Sequence, residues 1–361
     1  MYRRRHSRRS LPPTGPPLSP LAALEEAVLP ALQRSPCVVS FSGGMDSSFV
    51  LSVAARVARG AGLPAPIPVT WRFSGAPRAQ ESAWQERVIA TMPDLAWQVL
   101  RADDDLDLIG PVAQRVLTRH GVLLPPNVHL HLPIVELARG GSVLTGVGGD
   151  QMLIGHGSRS RSIRIRSRAP DRLVAVVRQL QGRNQYPWLQ RSAARRVLRA
   201  QRRTNRHEPR PLDRRIAWRA RQRALLMACA SLNTIAVASD TRVVNPLLDA
   251  GFLAALSGVG PVRAGSTRAD LLRMIAGGAL PAAATDLRPK ASFLEVFLRN
   301  PTREFVQSWD GLGADETVVD APTLRAIWAR WPIPADTAAL VQQLWLTKRQ
   351  TRELDVMEDH K

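Results

Sequence analysis

The stretch Cys37-Val38-Val39-Ser40-Phe41-Ser42-Gly43-Gly44-Met45-Asp46-Ser47-Ser48-Phe49-Val50 decides how this chain is read. Cys37–Phe41 is compact, apolar and β-branched, which predicts a buried strand. Ser42-Gly43-Gly44 is turn chemistry. From Ser47 to Arg59 apolar residues recur at Phe49, Val50, Val53, Ala54 and Val57, the spacing of a helix face. Strand, glycine turn and helix together make a polyphosphate site. The glycines let backbone amides approach an anion, Ser42, Ser47 and Ser48 offer hydroxyl donors, and the helix start adds positive potential. Asp46 belongs beside phosphate only if a cation intervenes, and Mg²⁺ bridging carboxylate and phosphate oxygens supplies one.

Outward from this loop the same rhythm repeats. Strands are expected at Ile67–Phe73, Ala96–Leu100 and Ser142–Thr145. Helices are expected at Leu21–Leu32, Ala79–Ala90, Leu108–Arg119 and Leu130–Ala138. Alternation of this kind predicts an α/β fold with a parallel sheet covered by helices. A second glycine loop, Thr145-Gly146-Val147-Gly148-Gly149-Asp150, follows the Ser142–Thr145 strand. Loops at the carboxyl ends of parallel strands converge on one crevice, so Asp46 and Asp150 are expected to hold metal from two sides.

Residues 1–20 are basic and Pro-rich and read as a flexible tail. Residues 21–157 make the nucleotide-binding part. Residues 158–223 are an Arg-dense insertion with helical stretches at Leu173–Leu180 and Ser192–Arg203. Residues 224–361 form a helical half that completes the site. The net charge is +20, and 47 residues are Arg, against lysines only at Lys290, Lys348 and Lys361. That charge favours acidic or polyanionic partners. No apolar run reaches the roughly 18–20 residues of a membrane span, and the basic start lacks a signal core, so the chain is expected to be cytoplasmic. Cys37 and Cys229 lie far apart in apolar contexts and are expected to be reduced, buried thiols.

At this point the residues resemble a family. Ser42–Ser48 is similar to the PP-loop of the asparagine synthetase superfamily, and Thr145–Asp150 to its Ser-Gly-Glu-Gly-x-Asp motif. Arg242-Val243-Val244-Asn245-Pro246-Leu247-Leu248-Asp249 resembles the Arg-x-Pro-Phe-Leu-Asp segment. Leu280-Pro281 followed by Arg288-Pro289-Lys290-Ala291-Ser292-Phe293 resembles Leu-Pro then Arg-x-Lys-x-Gly-Phe. The resemblance implies a PP-loop (HUP-like) adenylating fold, with ATP and Mg²⁺ as cofactors and AMP and pyrophosphate as products. Asp46 and Asp150 would bind Mg²⁺. Ser42, Gly43, Gly44, Ser47 and Ser48 would cradle phosphate, and Thr145, Gly146 and Arg242 would line the nucleotide. Lys290 would neutralise charge at the reacting centre, and Asp249 would cap or orient a helix.

Two departures refine the expectation. Only about 35 residues precede the first core strand, too few for a glutaminase domain, so nitrogen from glutamine in cis is not expected. Val147 stands where asparagine synthetases carry Glu and β-lactam-forming relatives carry Tyr. Valine moves no proton, so the attacking amine must be adequate unaided. Both departures, with the Tyr186-Pro187-Trp188-Leu189 segment, resemble the lasso-peptide cyclases, which join an Asp or Glu side chain of a peptide to its own N-terminal amine. The expected partners are then a peptide or small carboxylate substrate, and a precursor peptide with its leader-binding protein and protease. An ammonia-using asparagine synthetase and a PP-loop tRNA-modifying enzyme are the rival readings. Nucleic acid is the less favoured partner, because no recognition module or catalytic Cys pair is present. His129, His131 and Glu136 are expected to be structural.

Overall fold

A computed structural model describes residues 18–153, 186–209, 211–259, 267–286 and 291–358. Five parallel strands form one sheet in the order β3-β2-β1-β4-β5: β1 Cys37–Ser40, β2 Ile67–Phe73, β3 Gln98–Ala102, β4 Ser142–Leu144 and β5 Arg242–Val244. The chain runs outward from β1 to β3, then returns to place β4 on the other side of β1. The reversal opens a crevice beyond the carboxyl ends of β1 and β4, where ligands bind in sheets of this kind.

Side-chain alternation explains why β1 reads as continuously apolar. Cys37, Val39 and Phe41 pack with Leu144 against helices α1 (Pro20–Leu32) and α2 (Met45–Gly60). Val38 turns the other way, joining Val69 and Val143 against Leu132–Leu137 and Arg223–Val237. With both faces covered, Cys37, Val38 and Val39 are all buried, and the first polar position is Ser40, half-buried beside the cleft. Across α2, Phe49, Val50, Leu51, Val53 and Ala54 are fully buried, and each large aliphatic contributes about 1.5–3 kcal/mol by burial.

The expected elements that fall among the described residues are present, with instructive shifts. The helix expected at Ala79–Ala90 divides into a 3₁₀ turn, Pro77–Ala79, and a helix, Ser82–Ile89. β3 starts two residues later than expected, because Trp97 is spent as an anchor whose indole donates to Thr70 Oγ1. Leu130–Ala138 is a 3₁₀ turn ending at His131, then a helix from Leu132 with Pro133 in its first turn. The C-terminal half is not purely helical, since it supplies β5, too short at three residues to be read from periodicity. A separate apolar cluster joins Trp188 to the helices Asn300–Ser308, Ala321–Trp328 and Ala338–Glu358, with Trp309 edge-on to Trp328 at 5.0 Å. The expected helix Leu173–Leu180 and most of the 1–20 tail lie outside the described residues. The helix expected at Ser192–Arg203 runs from Arg191 to Arg206. Cys37 is a buried free thiol and Cys229 a partly buried one. No described helix is long and apolar enough to cross a membrane.

Candidate active site

β1 delivers Ser42–Gly44 directly into α2. Gly43 has φ +78°, a left-handed conformation, and a Cβ there would press on Gln85. Gln85 in turn donates from Nε2 to the Ser42 carbonyl at 3.3 Å, which fixes the loop from outside. Within the loop, Ser42 Oγ and Ser47 Oγ lie 3.1 Å apart. The Gly44 N–H donates to Ser42 Oγ, and Ser47 Oγ donates to the Gly44 carbonyl. The N-cap of α2 is Gly44, which provides no side-chain acceptor. The first-turn amides of a 16-residue helix therefore face the crevice with their potential uncancelled by a cap. Ser48 Oγ is buried and lacks a hydrogen-bond partner among the described residues.

The second loop comes alongside from β4. Gly146 approaches the backbone of Ser47 so closely that a Cβ would sit 3.0 Å from its nitrogen. Gly149 lies against the Asp46 carboxylate, with no room for any side chain. Thr145 Oγ1 donates to Asn245 Oδ1 at 2.5 Å and accepts the Val147 N–H at 3.1 Å, so β4 and β5 are tied at the crevice. Asp46 and Asp150 are brought together by a residue that sequence reasoning missed. Arg268, first in the helix Arg268–Ala276, gives one guanidinium nitrogen to Asp46 Oδ1 and the other to Asp150 Oδ1. Burial works against the guanidinium charge, but the charges and hydrogen bonds of Asp46 and Asp150 outweigh it and raise its pKa above the ordinary value. Thr267 and Asp270 form a capping box that holds this helix start in place.

Two carboxylates converging on one cation form a hard oxygen donor set, which suits Mg²⁺ that keeps waters and takes phosphate oxygens as its other ligands. Among the described residues no group of three or more acids, histidines or cysteines converges as a metal cage. The two carboxylates fit a cation shared with a polyphosphate.

A cleft of about 380 Å³ adjoins these loops. Its polar end carries Ser42, Gly44, Asp46, Ser47, Thr145 and Gly146, and its far wall is Trp71, Phe73, Leu130, Phe293 and Phe297. Phe293 meets Phe73 edge-on at 5.9 Å, joining the C-terminal half to β2. Val147 sits in the lining, as does His131, whose Nδ1 is buried and unpartnered among the described residues. Burial, then the neighbouring His129, pushes His131 down to about 4, so it is neutral at ordinary pH. His129 is structural as expected, packing each ring nitrogen against a carbonyl, of Pro126 and of Leu106. Glu136 pairs with Arg115.

Not every expected residue reaches the cleft. Arg242 is exposed and begins β5 at the amino-terminal end of the sheet, where its N–H bonds Gly141. The strand direction sends Asn245, not Arg242, to the site. Asp249 caps the helix Ala250–Ser257 by accepting from Gly251 and Phe252. Lys290, with Arg288 and Pro289, lies outside the described residues. No curated protein matches the chain significantly. The asparagine synthase family model matches residues 21–353, spanning both glycine loops, all five strands and the helix that carries Arg268. With the loops, the paired acids and the aromatic cleft in one crevice, this chain belongs to the asparagine synthase family of ATP-dependent ligases.

Proposed function

We propose that the chain adenylates the side-chain carboxylate of an Asp or Glu within a peptide and joins it to that peptide's own N-terminal amine, as a lasso-peptide cyclase. The observation that carries this reading is the cleft lining. Among its described residues there is no Arg and no Lys, and its histidine is neutral. A free amino acid's α-carboxylate meets no cation among these described residues, and a carboxylate is expensive to bury unpaired. A peptide presents amides there, and its apolar side chains match Trp71, Phe73, Phe293 and Phe297.

In the first half-reaction a carboxylate oxygen attacks the α-phosphorus of ATP and pyrophosphate leaves. In the second the amine nitrogen attacks the acyl carbon and AMP leaves. The peptide loses one water overall. Ser42, Gly43, Gly44, Ser47 and Ser48, with the α2 amides, hold the polyphosphate, and Thr145 and Gly146 line the adenylate. Asp46 and Asp150 would hold Mg²⁺ in place of the Arg268 guanidinium, and the ion would supply charge neutralisation at the phosphates. Lys290 stabilises charge that develops at the reacting centre. No base faces the amine from position 147. A peptide α-amine, with a pKa of roughly 7.7–8.0, is partly neutral at physiological pH and needs little help. Positioning therefore carries most of the rate.

The test is mass spectrometry of candidate precursor peptides incubated with the protein and MgATP, with nucleotide products followed in parallel. Loss of one water with AMP release is expected, and none in Asp46→Ala. ADP release would overturn the adenylation. AMP release with free aspartate and ammonia, but not with peptides, would overturn the peptide substrate.

A further inference from the structure

A second concavity, of about 1080 Å³, lies along the helix Arg191–Arg206, lined by residues separate from those of the cleft. Arg191, Arg195, Arg199 and Arg202 all line it, spaced so that they share one helix face. The four are exposed, and none forms an ion pair among the described residues. Arg196, off this stripe, instead acts on Asp315. The one acid in the lining, Asp320, is already engaged, accepting the Thr323 N–H as the cap of Ala321–Trp328. Four like charges along one wall repel each other unless something of opposite sign is seated there.

The groove has a built floor. Leu189 bridges Val319 in antiparallel fashion, with Gln190 N–H bonded to Val318 and Asp320 N–H to Trp188. Tyr186 packs edge-on to the buried Trp188 at 5.7 Å, and its hydroxyl accepts from Gln201 at 2.6 Å. Pro187, Leu189 and Leu198 add apolar surface between the arginines. The chain's own residues 154–185 have the wrong sign to neutralise this wall, with eight Arg against the single acid Asp171.

We infer that this groove docks an acidic peptide segment in which carboxylates alternate with apolar residues. Successive arginines stand about one helical turn apart, roughly 4.5–6 Å along the axis. Every second side chain of an extended peptide repeats at about 6.6 Å on one face, so alternate acids meet successive arginines. The apolar side chains between them turn to the opposite face of the peptide, toward the apolar surface that Pro187 and Leu189 supply outside the helix. Nucleic acid matches less well, because single strands need free aromatic faces for base stacking. Both aromatic rings here are committed to each other and to the core. The inference holds whichever carboxylate the cleft activates.

The test uses the full chain and fluorescence anisotropy with a labelled peptide of about twelve residues alternating Glu with Leu or Ser. The variant is R191E/R195E/R199E/R202E. A charge-matched control is R119E/R139E/R325E/R330E, at exposed arginines elsewhere. At near-physiological salt the groove variant is expected to lose at least about tenfold in affinity and the control less than about threefold. Equal losses in the two variants would reduce the effect to net charge and overturn the inference. So would an oligouridylate of equal charge that binds as tightly and is lost in the same groove variant. Unfolding midpoints of both variants must match wild type, and Arg191→Gln/Arg195→Gln serves if Glu disturbs the helix. Retained peptide affinity in that milder variant would also overturn the inference.

Discussion

Arg268 sits where a metal ion would neutralise Asp46 and Asp150, so replacing it with Met separates its charge from its bulk. Methionine keeps most of the apolar stem, which limits loss of packing. The Asp46 and Arg268 side chains are only 18% and 22% exposed, while Asp150 is 65% exposed. Breaking a fully buried pair costs about 3–5 kcal/mol, and an exposed pair contributes less than about 1 kcal/mol. The partly wet Asp46 contact then contributes about 1.5 kcal/mol and the Asp150 contact about 0.5 kcal/mol. A divalent cation entering the wild-type site must first displace the guanidinium. Arg268→Met removes that competition, and about 2 kcal/mol corresponds to roughly 30-fold tighter cation binding. The assay is Mn²⁺ binding without nucleotide, read from the free-ion electron paramagnetic resonance signal. The metal-free variant should also unfold about 2–3 °C lower, a small shift because the chain is long. Unchanged or weaker Mn²⁺ binding in Arg268→Met would refute the argument that Arg268 holds the cation position.

Three further outcomes follow from particular contacts. Gly149→Ala drives a methyl group into the Asp46 carboxylate and should abolish AMP formation, while circular dichroism stays unchanged. Asp107→Ala leaves the amides of Ile109 and Arg299 and the Thr302 hydroxyl without their shared acceptor. This should lower stability by about 2–4 kcal/mol, read as a lower urea midpoint at unchanged slope. His131 is held near 4 in the fold, below its ordinary 6.5. The unfolded chain therefore takes up a proton first, and the stability present above about pH 6.5 is lost as pH falls toward 4. His131→Gln should flatten that part of the stability profile, and an unchanged profile would remove His131 as its cause.

The parts of the site legible in the sequence were those with local signatures. Gly43 and Gly44 betray a turn, Cys37–Phe41 a buried strand, and Phe49 through Val57 a helix face, each within a few residues. Asp46 and Asp150 stood out because an acid beside glycines has a chemical reason to be there. Arg268 had no such signal, being one of 47 arginines and 222 residues from Asp46. Only the chain's return to the crevice selects it. Arg242 failed for the complementary reason. Which end of a strand faces a site depends on strand direction, and β5 is too short to announce itself. Gln85 was invisible because its importance is the space beneath Gly43, a property of packing.

The position of β1 in the sheet also sets the order in which the molecule can assemble. β1, β2 and β3 pair through local crossovers within the first 102 residues, while β4 starts only at Ser142 and β5 at Arg242. During synthesis the β1 edge that bears the phosphate loop stays unpaired until β4 emerges, a template for mispairing. Nucleotide cannot protect that stage, because the crevice is incomplete until Thr145 and Asn245, which tie β4 to β5 there, have been made. ATP should therefore stabilise the finished chain strongly and rescue truncated or slowly translated chains little.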